Sequence, residues 1–280
     1  MTLVLETAMR SVTGPHRENN QDSVGAGAGF AFVADGVGGH VGGDVASWTL
    51  THRLIATLTT SWRRTLDVDA LRGVLADANA DIALRVGRDP ALRGMATTFT
   101  GLFCSETAIR IAHIGDSRAL MVRDGEGRRM TRDDSLVQML LDAGTITEAD
   151  ADHHPNRNVI LRSFSGALTD AGELTVLSGP APVGDRWLVA SDGLTDYVPQ
   201  DEVIALLVAA RSPQDAADAL LQAAVDADSG DNISLAVSDV IEGPAEQDRG
   251  RVDMLGAAAD EHQGYVGDLT TSVGGRGEGS

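Results

Sequence analysis

The order of sequence patterns predicts either an α+β fold or, more specifically, a helix–sheet–sheet–helix sandwich. Short apolar runs of strand-like length occur in several groups along the 280 residues. Two pairs of helical patterns separate these groups, one in the first third of the chain and one before the last strand. Strands and helices therefore do not alternate as in a parallel βαβ succession, and each helix pair is expected to cover one face of a sheet.

The first strands flank a polar loop. Leu3–Val12 alternates as an edge or hairpin strand, and Phe30–Ala34 is a short apolar strand. The segment His16–Asp22 between them fits either a functional site or a solvated turn when it is taken alone. Residues 23–29 are rich in glycine and are predicted to be a connection.

Helical spacing begins after Asp44, and a second amphipathic stripe runs from Asp67 to Val86 before Gly87 and Pro90 end it. Strand patterns then resume, and their short turns predict an antiparallel meander. Its three strands are Met95–Phe103, Ala108–Gly115 and Ala119–Val122.

The second half contains one inserted helix, further strands and a second helix pair. Ser135 is expected to cap the inserted helix, which ends at Gly144. The remaining predicted elements are the strands Glu173–Leu177 and Trp187–Ser191, the helices Gln200–Arg211 and Pro213–Asp226, and the strand Ile233–Val240. One domain over 1–243 is therefore predicted, and the polar, glycine-rich residues 244–280 are expected to be a disordered tail.

Composition excludes several kinds of function. The net charge is −19 and the chain has no lysine, which argues against nucleic acid and anionic membranes as partners and excludes a Walker A lysine or a Schiff base. Cys104 is the only cysteine, so a cytoplasmic, reducing location is expected, with Cys104 as a buried apolar residue. No apolar run approaches the roughly 18 residues that span a bilayer.

Three aspartates carry the strongest chemical signal. Asp35 and Asp192 each follow a strand and precede a glycine, and Asp231 follows Gly230 just before the last strand. If their carboxylates converge, their mutual repulsion requires a cation, and hard oxygen ligands favour Mg²⁺ or Mn²⁺. Two such ions bridged by a carboxylate would activate a water for direct attack, and Arg17 is a candidate for gripping a phosphate.

These stretches resemble the bacterial PP2C-type (PPM) metal-dependent serine/threonine protein phosphatases, in the order typical of that family and over about residues 5–240. The matching segments are Arg17–Asp22, Asp35–His40, Met95–Thr98, Gly115–Arg118, Asp134–Gln138, Pro155–Val159, Ser191–Asp196 and Gly230–Ser234.

The resemblance implies an α+β fold with a central antiparallel β-sandwich flanked by pairs of helices on both faces. It also implies hydrolysis of phosphoserine and phosphothreonine by water at a dinuclear Mn²⁺ or Mg²⁺ centre. It implies that Asp35 bridges the ions, that the Gly36 carbonyl binds one of them, and that Asp192 and Asp231 bind the other. Asp22 is expected to lie nearby and to act through water. A third ion is implied at Asp116, although a simple turn residue remains the alternative there.

Arg17 corresponds to the phosphate-binding arginine and His40 to a residue at the mouth of the site, with a proton-donor role left open. Residues 142–160 correspond to a flap that influences substrate choice. The implied partners are phosphorylated proteins, including a serine/threonine kinase and its substrates, and a monomer is expected.

Two departures from the family pattern stand out. Gln21 replaces a common glutamate, and Ala96 replaces a common glycine. Two alternatives stay open from the sequence: an inactive PP2C-like binding module, and a phosphatase acting on an anti-sigma-factor antagonist in a partner-switching pathway. All five aspartates are present, which favours an active enzyme.

Overall fold

The computed structural model describes residues 2–37, 42–61, 67–105, 108–151, 153–243 and 251–260. Its strands are β1 (Thr2–Val12), β2 (Ser23–Gly27), β3 (Phe30–Ala34), β4 (Gly36–Val37), β5 (Ala96–Thr97), β6 (Phe99–Cys104), β7 (Ala108–Ile114), β8 (Arg118–Arg123), β9 (Glu126–Arg129), β10 (Thr175–Pro180), β11 (Arg186–Ala190), β12 (Ile233–Gly243) and β13 (Val252–Gly256). Its α-helices are α1 (Gly43–Ser61), α2 (Val68–Arg88), α3 (Leu136–Asp142), α4 (Glu148–Ala151), α5 (Asp170–Glu173), α6 (Asp192–Thr195), α7 (Gln200–Ala209) and α8 (Pro213–Asp226).

Two antiparallel sheets form the centre of the fold. One has five strands in the order β1-β12-β11-β8-β9, and the other has six in the order β10-β7-β6-β3-β2-β13. β1 lies at the edge of the five-stranded sheet and pairs with β12 along its whole length. The predicted sandwich and the edge position of the first strand are confirmed.

The alternation of side chains along β3 shows how the sandwich builds its layers. Phe30 and Phe32 pack in a core that the six-stranded sheet shares with α1 and α2, whereas Ala31 and Val33 belong to a second core shared by the two sheets. Successive strand residues face opposite sides, so a five-residue apolar strand serves both cores.

The outer face of the five-stranded sheet is covered by α7 and α8. Leu207 and Leu220 from these helices pack against Leu188 and Val237 of the sheet in a third core. The chain is therefore a four-layer helix–sheet–sheet–helix structure, as the order of predicted elements indicates.

The predicted meander is wrong in one respect. β6 and β7 pair with each other, but β8 crosses to the opposite sheet and pairs with β9 and β11. The turn at Gly115 therefore carries the chain from the six-stranded sheet to the five-stranded sheet. The connection predicted over 23–29 is also wrong, because its first residues form β2, whose glycines face the rings of Phe32 and Phe30.

The predicted disordered tail is wrong for residues 251–260. β13 pairs with β2 and extends the six-stranded sheet, and Ala257 and Ala258 are buried in the 3₁₀ turn that follows. The polar composition of the tail gives no sign of the few residues that anchor this part of it to the sheet. The rest of the predicted tail, over 244–250 and 261–280, lies outside the described residues.

Within the described parts of the chain, none of the helices combines the length and the apolar character needed to cross a lipid bilayer. Cys104 is buried and unpaired, as its sequence context predicts.

Candidate metal centre

Asp35 occupies the end of β3, where the chain leaves the six-stranded sheet. Its backbone is fixed on both sides by the neighbouring strand: the Asp35 N–H donates to Thr98 Oγ1 (3.1 Å), and its carbonyl accepts from the Thr98 N–H (2.8 Å) and from Thr97 Oγ1 (3.0 Å). These bonds hold the carboxylate at one end of the sandwich. Gly36 follows, with its backbone packed closely against Gly43.

Asp22 lies at the end of the polar loop and is 2% exposed. Its N–H donates to Asn20 Oδ1 (3.0 Å), which shapes the loop, and Ser191 Oγ donates to Asp22 Oδ2 (2.9 Å). Ser191 directly precedes Asp192, so this bond joins the loop to the end of β11. The loop that looked like a solvated turn is therefore built into the site.

Asp192 and Asp231 are brought together by two glycines that allow backbone contact. A Cβ at Gly193 would lie 1.9 Å from the Asn232 carbonyl oxygen, and one at Gly14 would lie 1.9 Å from the Asp231 carbonyl oxygen. No side chain fits at either position, so the turn before β12 rests directly on both neighbouring segments.

Asp116 lies in the turn that carries the chain from one sheet to the other. Gly115 has a φ of +109°, which favours glycine, and its N–H donates to Asp134 Oδ2 (3.1 Å). The Asp116 side chain is 7% exposed, and its Oδ1 is buried without a hydrogen-bond donor in the described structure. A buried oxygen without a donor is the arrangement that a cation satisfies.

Electrostatics shows that these carboxylates form one cluster. Burial raises the pKa of Asp35 well above its usual range, and the charges of Asp22, Asp192, Asp116 and Asp231 raise it further. The pKa of Asp192 is likewise well above its usual range, first through burial and then through Asp116 and Asp231. Residues from both sheets therefore repel one another at the same end of the sandwich.

Asp22 and Asp116 are perturbed by similar causes. Burial raises the pKa of Asp22 to about 7, with hydrogen bonds from Ser234 and Ser191 opposing the shift. Burial also raises the pKa of Asp116 to about 7, with further contributions from the charges of Asp133 and Asp196. Both acids are disfavoured in their charged form unless positive charge is supplied.

The carboxylates lie near one another, but they do not converge on one common position. Among the described residues, no three acidic, histidine or cysteine side chains are arranged as the ligands of one ion. The donor set nevertheless fits a hard cation, because Oδ1 of Asp116 and Oδ1 of Asp192 are both buried without a hydrogen-bond donor in the part of the chain described.

Arg17 borders the cluster. Its Nη2 lies 2.5 Å from Asp231 Oδ2, and its Nε donates to the Gly230 carbonyl (3.3 Å). The Arg17 side chain remains 42% exposed, so the guanidinium can also reach a ligand in solution. His40, the other expected residue at the mouth, lies outside the described residues.

A second group of acids adjoins the cluster and is fully paired. The Arg118 guanidinium donates to Asp133 (2.9 Å from Nη2), to Asp196 (2.9 Å) and to the Thr195 carbonyl (2.6 Å). Because Thr195 ends the short helix that Asp192 begins, Arg118 connects the Asp116 turn to the Asp192 helix.

The sequence motifs contain several residues whose structural role was missed. Asn232 Oδ1 accepts from the Gln21 N–H (2.9 Å), and its Nδ2 donates to the Asn19 carbonyl (3.0 Å). In the sequence, the small polar residues beside each aspartate were the signal that could have indicated these hydrogen bonds. The two partners of Asn232 are more than 200 positions away, so sequence spacing alone does not pair them.

Comparison with known proteins agrees with this geometry. Residues 16–224 match the family model of protein phosphatase 2C. The chain belongs to the protein phosphatase 2C family. The resemblance seen in its motifs is thereby confirmed.

Two relatives that this chain resembles are named as serine/threonine phosphatases. The chain is 38% identical over 242 residues to the serine/threonine protein phosphatase PstP of Mycobacterium tuberculosis, a match that covers 86% of this chain and 46% of PstP. It is 30% identical over 243 residues to the serine/threonine phosphatase stp of Listeria monocytogenes, covering 82% of this chain and 94% of the relative. This chain thus spans about half the length of PstP.

Solved structures of the family share the fold. The catalytic domain of PstP in complex with two manganese ions superposes with a TM-score of 0.79 at 36% identity, covering 86% of this chain and all of that domain. Stp1 from Staphylococcus aureus superposes with a TM-score of 0.76 at 31% identity, covering 85% of this chain and 96% of Stp1. The predicted PP2C-like four-layer fold is confirmed.

Proposed function

We propose that this chain is a metal-dependent protein phosphatase that hydrolyses phosphoserine and phosphothreonine. The observation that carries the proposal is the cluster of mutually repelling aspartates at one end of a protein phosphatase 2C fold, with Arg17 beside it. The printed names of PstP and stp, both serine/threonine phosphatases, support the same reaction.

In this proposal the cluster holds two Mn²⁺ or Mg²⁺ ions. Asp35 would contribute to holding both ions, the Gly36 carbonyl would hold one, and Asp192 and Asp231 would hold the other. Asp116 and Asp192 would hold a third ion, and Asp22 would act through water. The unsatisfied Oδ1 atoms of Asp116 and Asp192 and the manganese ions named for PstP support this assignment.

When bound, such ions lower the pKa of a water molecule and stabilise charge on the oxygens of a phosphate ester. The protein supplies the rest of the chemistry. The Thr98 and Ser191 bonds hold Asp35 and Asp22 in place before substrate arrives. Arg17 grips the phosphate through paired N–H donors, and the phosphate oxygens compete with Asp231 for its guanidinium.

We further propose that the substrates are phosphorylated proteins, including a serine/threonine kinase and its targets, and that residues 142–160 act as a flap that influences their selection. The inserted segment returns to its own start, since the Leu136 N–H donates to the Val159 carbonyl (2.9 Å). A monomer suffices for this function, because all five aspartates come from one chain. His40 is retained as a candidate for assisting proton transfer.

The test is hydrolysis of a phosphothreonine peptide by wild type and Asp192→Ala, each with Mn²⁺, with Mg²⁺ and with EDTA. We expect turnover by the wild type with either metal, none with EDTA, and loss of turnover in the variant. Wild-type turnover that persists in excess EDTA would contradict the metal mechanism. Metal binding without turnover of any phosphopeptide would instead indicate an inactive binding module.

A further inference from the structure

A cleft opens between the two sheets at the side of the sandwich formed by the edge strands β9 and β10. Its volume is about 70 Å³, and it is open to solvent at its mouth. Its lining comes from β7, β8 and β11 at the ends of these strands that lie away from Asp116 and Asp192. The cleft is therefore separate from the aspartate cluster.

One wall of the cleft is a row of three cross-strand neighbours. Trp187 pairs with Met121 on β8, and Met121 pairs with Arg128 on β9. Residues directly opposite one another in an antiparallel sheet project from the same face. Trp187 and Met121 belong to the core between the sheets, so Arg128 stands on the inward face of an edge strand.

The facing wall is apolar and incompletely filled. Ile109 and Ile111 of β7 pair with Gly179 and Leu177 of β10. A Cβ built at Gly179 meets no atom within 4 Å, although the neighbouring Ile109 is buried. The missing side chain at Gly179 thus leaves the cleft open at its mouth.

Two polar groups line this apolar cleft: the indole N–H of Trp187, which is buried, and the guanidinium of Arg128, which is exposed. Trp187 is 2% exposed, and its Nε1–H is buried without an acceptor in the described structure. Arg123 at the same mouth is paired with Asp185 (2.6 Å), whereas Arg128 has no carboxylate partner within the described part of the chain. Arg128 is exposed at the mouth of the cleft, so its guanidinium can pair with a carboxylate on a ligand.

We propose that this cleft binds a small amphipathic carboxylate. The carboxylate pairs with Arg128 at the mouth, the apolar body lies between Met121 and the isoleucines of β7, and an acceptor at the buried end meets Trp187 Nε1. Strands lie about 4.8 Å apart, so β11 and β9 are separated by about 10 Å across β8. A chain of about seven carbons with a terminal carboxylate and a distal carbonyl matches that span.

The test is a titration of the full chain followed by ¹H–¹⁵N NMR of the indole N–H groups. The chain has three tryptophans, and Trp187→Phe identifies the relevant signal. The probes are 6-oxoheptanoate, heptanoate, which lacks the distal acceptor, and 2-heptanone, which lacks the carboxylate. We expect a saturable shift of the Trp187 signal with 6-oxoheptanoate, and weaker binding of the other two.

Three variants test which residues contribute to binding in this titration. Arg128→Ala is expected to weaken binding of 6-oxoheptanoate by about three- to fivefold, as for a partly exposed ion pair. Arg93→Ala removes the same charge from an exposed position outside the cleft and is expected to leave binding unchanged. Gly179→Leu fills the mouth, and the open space at its Cβ indicates that the variant folds.

The outcomes separate the proposal from simpler explanations. Loss of binding in Gly179→Leu, with an otherwise unchanged spectrum, supports the site. Equal binding of 2-heptanone and 6-oxoheptanoate, unaffected by Arg128→Ala, would overturn the carboxylate assignment and leave only an apolar gap. No saturable shift with any probe would overturn the site and indicate that Arg128 protects a sheet edge from association.

Discussion

Buried carboxylates occur in two neighbouring regions of this fold, and only one region matches them with arginines. Asp116, in the metal-centre cluster, is 7% exposed, while Asp133 and Asp134 beside it are 6% and 9% exposed. Burial is thus the same in both regions. Asp133 forms ion pairs with Arg118 and Arg129, and Asp134 forms one with Arg162 (3.0 Å). Asp116 instead keeps a buried oxygen without a donor.

The difference in arginine pairing between the two regions indicates the role of the aspartate cluster. The buried Asp133 and Asp134 are paired with arginines, and the buried Asp170 accepts hydrogen bonds from Ser165 and Ala167. The repelling aspartates at the strand ends are therefore not simply an excess of acid. Buried charges of one sign are costly unless a counter-charge is present. In our account, the counter-charge in the first region is a divalent cation, and in the second it is built into the protein.

The largest expected effect is on turnover. Asp35→Asn removes the charge that the other four aspartates surround, and we expect turnover of a phosphothreonine peptide with Mn²⁺ to fall by about 10³-fold. Asp218→Asn is the control, because it removes an exposed acid that pairs with Arg10 on the surface. Similar turnover in Asp35→Asn and wild type would show that the cluster is not the reaction centre.

The second expected effect is on stability in the paired region. Asp133→Asn leaves the partly buried guanidinium of Arg118 without its main partner, and we expect the free energy of unfolding to fall by about 3 kcal/mol. Urea denaturation measures this change. The exposed control Asp218→Asn is expected to lose less than about 1 kcal/mol. Equal losses would mean that Asp133 and Arg118 contribute no more than a surface pair.

A third effect separates substrate binding from metal binding. Arg17→Ala is expected to lower kcat/KM for the phosphopeptide by about 10- to 100-fold, mainly through KM, because the phosphate loses its paired donors. Arg17→Lys is expected to be intermediate, since an ammonium group binds as a point charge. Mn²⁺ affinity, measured by calorimetry, should not decrease in Arg17→Ala; a decrease in parallel with turnover would assign Arg17 to the metal site instead.

The smallest expected effect is the pH dependence of the metal-free protein. The pKa values of Asp22 and Asp116 are raised from 3.8 to about 7, so the folded state binds more protons than the unfolded state between these values. The free energy of unfolding in EDTA is therefore expected to decrease as pH rises from about 4 to about 7. Asp116→Asn should reduce this slope, and an unchanged slope in urea denaturation would refute the contribution of Asp116.

The sequence predicted most of the fold because its patterns are local. The stripes of α1 and α2 and the alternation in β3 are visible within single segments. The crossing of β8 to the other sheet was not predictable, because the short turn at Gly115 fits a hairpin equally well. The pairing of β13 with β2 was also hidden, because it joins segments more than 220 residues apart.

The candidate site was predictable to a similar degree. The sequence indicated that Asp35, Asp192 and Asp231 lie at strand ends, because each adjoins an apolar strand pattern and a glycine. Their convergence required the family resemblance, since it depends on backbone contacts such as that of Gly193 with Asn232. The pairing of Arg118 with Asp133 was not anticipated, although both residues lie in or beside recognised motifs.

The most direct test of a cluster built for cations is the thermal unfolding of wild type and Asp192→Asn, each in EDTA and in Mn²⁺. Removing one repelling charge should raise the Tm of the variant above that of wild type in EDTA. In Mn²⁺ the order should reverse, because wild type gains more stability from bound metal. A variant that melts below wild type in EDTA, or that gains as much from Mn²⁺, would contradict the account.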